Sequence, residues 1–390
     1  MRKNDTQITE EARTFRIGPI RPPSEANSLL VQVTNGCTWN KCKFCQLYRH
    51  TKFKAYSVDS IKADIDNMVY QAERVRKYIG PDGRWDMQGL NAEMNACDEE
   101  DGQCFYMVAN WLYKGGENVF LQDGNTTALS GGRLSDVLIY LRKAFPSIKR
   151  ITSYGRAQNL AKVSPEEFAE LKEAGLDRIH SGYETGSDAV LQKINKGVTA
   201  REEIIAGKNV KAGGIELSVY FMPGVGGKEL TVENALGTSH VINEVNPDFV
   251  RIRTAAVKPG TELYDDFLSG ELTICSDDEK LIEIRTIIER ADNIDSYLAS
   301  DHIINLLQDI EGNMITDKKH MLDMIDSYLD MPAEDKKMYQ AARRMAKVNR
   351  LSDMARLLQN VKAQIRNMAD SVSDPYQWEI EMNHLITRYI

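Results

Sequence analysis

Short apolar, often β-branched runs recur through the first two thirds of the chain, separated by longer stretches in which apolar positions return every three or four residues. Short runs suit buried strands and the longer spacing suits helices, so the pattern predicts repeated strand-helix units around a parallel sheet. Six strands are expected: Leu29 to Thr34, Val119 to Leu121, Arg150 to Ser153, Arg178 to Ser181, Glu216 to Met222 and Phe249 to Thr254. Between them Ser164-Pro165-Glu166-Glu167 reads as a helix start, with Ser as cap, Pro in the first turn and acids at the positive helix end. Gly175 ends that helix, because glycine accepts the left-handed position past a helix C-terminus. A similar unit runs from Thr199 to Gly214.

The expected fold is therefore α/β, an open, partial six-stranded parallel (β/α) barrel over residues 29–265 with its active face at the strand C-terminal ends. Residues 1–28 form an N-terminal extension. The stretch from about Tyr78 to Gln103 is rich in Gly, Asn and acids with little period, and reads as a loop or lid-like insertion. Strand signals vanish after about Leu263, so residues 266–390 are expected to be a helical C-terminal region.

Composition narrows the class. With 42% hydrophobic and 27% charged residues the 390-residue chain is globular rather than disordered, and no run approaches the roughly 20 apolar residues of a membrane helix. The polar, acidic start lacks the apolar core of a secretory signal, so a cytoplasmic protein without membrane contact is expected. A net charge of −8 makes nucleic acid an unlikely general partner, although the segment from Met331 carries ten Lys or Arg against seven Asp or Glu.

Six cysteines are too few for a disulfide scaffold in a chain of this length, and three of them, Cys37, Cys42 and Cys45, fall within nine residues just after the first strand. Three thiolates on one loop suit three irons of a 4Fe-4S cluster, leaving the fourth iron open for chemistry. A structural zinc site is the alternative, but it wants four ligands and only His50 is near. Cys97, Cys104 and Cys275 resemble no ferredoxin run and read as free thiols.

The cysteine loop Asn35-Gly36-Cys37-Thr38-Trp39-Asn40-Lys41-Cys42-Lys43-Phe44-Cys45, set before a partial barrel, resembles the radical S-adenosylmethionine (SAM) superfamily, with one residue more than the usual three between the first two cysteines. The segment Arg178 to Asp188, continuing through Val190-Leu191 to Asn195-Lys196-Gly197, is similar to the fourth-strand signature of the branch containing oxygen-independent coproporphyrinogen oxidase and the methylthiotransferases. The resemblance covers about residues 25 to 265. It implies two cofactors, a 4Fe-4S cluster on Cys37, Cys42 and Cys45 and S-adenosylmethionine on its open iron. Reductive cleavage would yield a 5′-deoxyadenosyl radical that takes hydrogen from a substrate, with the electron coming from a flavodoxin- or ferredoxin-like donor.

The resemblance also implies cofactor contacts. Asp123, Gly124, Asn125 and Thr126 follow the second strand where the family has a glycine-rich segment; an ordinary polar turn is the alternative. Glu184 would accept from the ribose hydroxyls, or else cap the next helix. Ser153 and Arg156 resemble positions near the cofactor carboxylate, with Arg253 as a second cation. Ser218 and Tyr220 alternate on the fifth strand and should share a face, Tyr220 serving either cofactor or core. Asp301, His302 and Asn305 are candidates for substrate binding or proton transfer, against a helix cap as the plain alternative. A small-molecule substrate is expected. An RNA or protein modifier of the methylthiotransferase kind, docked by the basic tail, is the other enzymatic reading, and an iron-sulfur electron carrier the non-catalytic one.

Overall fold

The computed structural model describes residues 13–19, 21–129 and 131–389. Seven parallel strands, rather than six, carry the sheet. The expected ones are β1 (Leu29–Gln32), β2 (Asn118–Gln122), β3 (Arg150–Tyr154), β4 (Arg178–Glu184), β5 (Glu216–Phe221) and β6 (Phe249–Ile252), hydrogen-bonded in that order. β7 (Tyr297–Ala299) extends the parallel array, and β8 (Gly312–Asn313) ends it antiparallel to β7. The sheet thus passes beyond residue 265 into the region expected to be helical; β7, a three-residue strand, is too short to show a period in the sequence.

Parallel register sorts the side chains onto two faces. Val31, Leu121, Ser153, Ile179 and Leu217 are in register across β1 to β5, and the apolar members of that row join the helices in one continuous core. Fully buried Ile61, Ile65, Val108, Leu134 and Leu138 come from the helix side. Burying such a side chain contributes about 1.5–3 kcal/mol, so this layer is the main stabiliser of the barrel wall. The other face, turned to the interior, carries Thr152, Tyr154, His180, Ser218, Tyr220 and Arg251.

The helix starts follow local chemistry. Ser164 and Glu167 form a reciprocal capping box at Pro165–Ala174, which ends on Gly175 at φ 115°. Thr199 and Glu202 do the same for Ala200–Ala212. The insertion is not a loop: Met87–Ala96 and Glu99–Tyr113 are helices, capped by Asp86 and Asp98. Their internal Gly89 and Gly102 weaken the helical pattern in the sequence, while the aspartate caps supply the start signal.

The N-terminal segment closes the barrel floor. Glu25 is fully buried and accepts from Ser28 Oγ at 2.5 Å, with His180 Nε2 at 3.4 Å and the Arg150 guanidinium at 3.6 Å. At the other end of the chain, helices Ala333–Arg344 and Pro375–Ile386 pack back on the barrel. Arg344 Nη2 donates to both Asp277 carboxylate oxygens at 2.8 and 2.9 Å, Arg343 donates to Ile303 O, Lys336 pairs with Asp278 and Lys337 donates to the carbonyls of Ala369 and Val372 at the end of a neighbouring helix. Much of the tail's excess positive charge is therefore spent inside the fold. Among the described residues no helix is long and apolar enough to cross a membrane.

Candidate functional site

The candidate residues converge at the C-terminal ends of the strands. After β1 the chain leaves the sheet, carries the cysteines and returns to a two-residue antiparallel clip in which Thr34 and Asn35 pair with Ala55 and Lys54. The loop is pinned at both flanks. Lys43 N donates to Ile194 O and Leu263 N to Lys43 O, both at 2.9 Å, while the Arg49 guanidinium donates to the carbonyls of Cys42 and Cys45. The Trp39 indole donates to Asn195 O at 2.7 Å and lies against Gly197, whose φ of 68° and missing Cβ both make room for the ring.

Beneath the loop, Asp123 accepts from Gly36 N at 3.2 Å and from the Tyr48 hydroxyl. Burial pushes the Asp123 carboxyl up to about 6 against the opposing pull of backbone N–H donors. Gly124 follows where a Cβ would come within 3.1 Å of Gly36 O and 3.6 Å of the Cys37 Cβ, so the strand end and the cysteine loop are in direct backbone contact. Asn125 binds Thr38, Asn159 and the Arg156 N–H, tying the loop to the end of β3. Thr126 turns its hydroxyl back to Leu121 O and acts within its own turn.

Glu184 ends β4 at φ 70°, next to a bulge between Gly182 and Glu184. A Cβ at Gly182 would collide with the Glu184 carboxylate, so glycine is required for the side chain to fold over the strand. Its Oε1 accepts from Lys196 Nζ at 2.8 Å, and both side chains are nearly buried. Burial opposes the Lys196 charge, but Glu184 and Cys42 hold its pKa above the ordinary value. For Cys42 burial raises the thiol pKa while Lys196 and Arg156 pull the other way. Arg156 donates to Lys196 O at 2.9 Å and stacks 5.6 Å from the Trp39 ring. Tyr48 and Asn159 were not singled out from sequence, and Trp39 and Lys196 stood out only as members of the stretches Asn35 to Cys45 and Asn195-Lys196-Gly197.

Ser153 requires correction. It is in register with Leu121 and Ile179 on the face of β3 turned to the helices, opposite Thr152 and Tyr154, so side-chain alternation takes it away from the barrel interior. Ser218 and Tyr220 do share the interior face, where Ser218 accepts from Arg251 Nε at 3.1 Å and the Tyr220 ring stands 5.9 Å from His180. Tyr154 stands 5.9 Å from His180 too, and the charges of Arg253 and Glu184 both reach its buried hydroxyl.

On this second flank Asp301 and His302 do not form an acid-imidazole pair. The Asp301 carboxylate takes Arg251 at 2.8 Å, whereas His302 Nδ1 accepts from Ile304 N at 3.4 Å. Burial, with help from Arg253, lowers the His302 pKa to about 4, so the imidazole is neutral at pH 7. Arg253 is exposed at the barrel mouth. Asn305 is buried and has every polar valence engaged: it accepts from Thr254 N and Oγ1 and donates to Ile252 O and Ser300 Oγ. It anchors the loop after β7 and has no atom left for a substrate. The Gly-rich Pro223–Gly227 turn is similarly occupied, since Gly224 N donates to Glu283.

The donor set fits an iron-sulfur cubane better than a zinc ion. Cys37, Cys42 and Cys45 are half-buried and unpaired, and the buried cations Lys196 and Arg156 act on Cys42 against the rise in thiol pKa that burial causes. Among the described residues no three His, Cys, Asp or Glu side chains converge on one point for a single metal ion. A cubane does not ask for that, because each thiolate takes a separate iron.

Residues 103–234 match the family model described as the Radical SAM superfamily. The tRNA uridine(34) acetyltransferase of Methanocaldococcus jannaschii is 28% identical over 107 residues, 27% of this chain and 20% of that protein. Heme chaperone HemW of Bacillus subtilis is 22% identical over 191 residues, 47% of this chain and 48% of that protein. The chain thus spans half or less of the length of these curated relatives. Among solved structures, the cobalamin-dependent S-adenosylmethionine radical enzyme OxsB aligns with 93% of this chain and 58% of that chain at 13% identity, with a TM-score of 0.42.

Proposed function

We infer that this chain, whose residues 103–234 match the Radical SAM superfamily model, is an enzyme in which Cys37, Cys42 and Cys45 each hold one iron of a 4Fe-4S cluster and the adjoining strand ends hold S-adenosylmethionine. When bound, this pair of cofactors supplies one-electron cleavage of the sulfonium to methionine and a 5′-deoxyadenosyl radical able to abstract hydrogen. The observation that carries the reading is the seating of the cysteine loop on the C-terminal ends of β2 and β4, with Lys196 and Arg156 acting on Cys42 from within the fold.

The chain's own residues then have distinct tasks. Lys196 and Arg156 offset part of the burial that disfavours the Cys42 thiolate. Lys196 also fixes one oxygen of Glu184, leaving the other for a diol such as the ribose of the cofactor. Arg156 and the exposed Arg253 are the cations available to a carboxylate. Phe120, Tyr154, His180 and Tyr220 form a chain of ring contacts across the interior.

A small-molecule substrate is the reading that the net charge of −8 favours, in an enzyme read as cytoplasmic with a flavodoxin- or ferredoxin-like protein as reductant. The similarity to a protein named as a tRNA uridine(34) acetyltransferase favours a second reading, an RNA substrate, over the 27% of the chain it covers. Anaerobic reconstitution with iron and sulfide tests the first premise. About four irons per chain, with charge-transfer absorption lost in Cys42→Ala, are expected; a full iron load in that variant contradicts it.

A further inference from the structure

From Ala26 to Val58 the sequence contains no Asp or Glu, yet it carries Lys41, Lys43, Arg49, Lys52, Lys54 and His50. In a chain with 57 acidic residues and a charge of −8 this is a local reversal of sign, and it coincides with the excursion that bears the three cysteines. The structure divides these cations in two. Lys43 pairs with Asp266 and Arg49 with Glu262, both at 2.7 Å, and these anchor the loop. Lys41, Lys52 and Lys54 are exposed and have no carboxylate partner among the described residues; Lys41 lies over Trp39 and Lys54 over Tyr56. Leu47, 44% exposed, stands on the same excursion with exposed His50.

Resting on the cluster assignment above, we propose that the outer surface of this excursion, Lys41, Leu47, His50, Lys52 and Lys54, docks an acidic one-electron donor protein of the flavodoxin or ferredoxin class. In the transfer the donor is oxidised by one electron and the cluster reduced by one, with no bond made or broken. Electrons must enter from outside, and the barrel interior belongs to the cofactor and substrate. An acidic enzyme repels an acidic donor overall, so productive encounter needs a basic patch at the point of entry. Redox encounters use small interfaces, below about 1,200 Å², and a few charges around one apolar residue suffice for them. A path inward is present: Arg49, beside His50, donates to Cys42 O at 3.2 Å and Cys45 O at 3.1 Å. Three free lysines without an exposed stacking platform suit nucleic acid less well.

The test compares wild type with Lys41→Glu/Lys52→Glu/Lys54→Glu in the reconstituted full chain, measuring 5′-deoxyadenosine release driven by reduced flavodoxin or by dithionite, which needs no docking. The expected result is equal iron content and dithionite-driven rate, with kcat/KM for flavodoxin at least about tenfold lower and its fall with salt largely abolished. Unchanged flavodoxin kinetics overturn the proposal. If the reversed variant loses iron, Lys41→Gln/Lys52→Gln/Lys54→Gln decides by the same ratio of flavodoxin to dithionite rates. Loss of tRNA retention with flavodoxin kinetics intact overturns it in favour of an RNA surface. No dithionite-driven product in wild type is a failure of the cluster reading itself, distinguishable from a docking failure.

Discussion

Lys196 Nζ and Glu184 Oε1 stand 2.8 Å apart beside Cys42, in surroundings where neither side chain has much water. Removing one partner of a buried pair strands the other, a loss of about 3–5 kcal/mol. Lys196→Ala should therefore lower the denaturation midpoint sharply, while Glu184→Gln, which keeps an acceptor for the ammonium, should be milder. Glu184→Gln should also weaken S-adenosylmethionine binding with iron content intact. Loss of iron in that variant would mean the carboxylate serves the cluster loop rather than the cofactor.

Gly197 links the same segment to the cysteine loop through Trp39. A methyl group there meets the indole and sits on a backbone at φ 68°, so Gly197→Ala should cost about 2–4 kcal/mol from overpacking and left-handed strain together. Because the indole is held by Asn195 O, the displaced ring should carry the loop with it. Iron content per chain should fall along with the melting temperature; a stability loss with full iron would separate Trp39 from cluster seating.

Asn305 is expected to behave as an anchor and not as a catalyst. Asn305→Ala leaves the Thr254 N–H and the Ile252 carbonyl without their buried partner, at about 1–3 kcal/mol each. Urea denaturation should show the loss. His302→Ala, which removes one weak contact from Ile304 N, should leave the midpoint nearly unchanged.

Burial pushes the Glu283 carboxyl up to about 8, although Gly224 N and Asn234 donate to one of its oxygens. The folded chain holds a proton there that the unfolded chain has released, so this group's contribution is fully present below about pH 4.5 and is lost as pH rises through 8. Each pH unit in that window changes stability by about 1.4 kcal/mol. Glu283→Gln should flatten the pH dependence of the urea midpoint between pH 5 and 8. An identical slope in the variant would show that Glu283 is ionised in the fold.

The six main strands and the helix starts at Ser164 and Thr199 were legible because each rests on local signals: β-branched runs, a capping hydroxyl followed by acids, and Gly175 beyond the helix. β7 was not, since three residues give no period and tertiary pairing with β6 makes it a strand. The insertion was misread because Gly89 and Gly102 diluted a helical pattern that its Asp86 and Asp98 caps announced. At the site, types and spacing pointed to the cysteines, while Asp123, Arg156 and Glu184 were implied only by the family resemblance. Which face Ser153 occupies depends on register, and which partner Asp301 takes depends on packing from β6, so neither was readable from the chain alone.

The most direct measurement is product release by reconstituted protein, kept free of oxygen and supplied with S-adenosylmethionine and dithionite. Formation of 5′-deoxyadenosine and methionine by wild type, abolished together in Cys37→Ala, Cys42→Ala and Cys45→Ala, is the predicted result. Intact S-adenosylmethionine after prolonged incubation with a fully loaded, reduced cluster would contradict it.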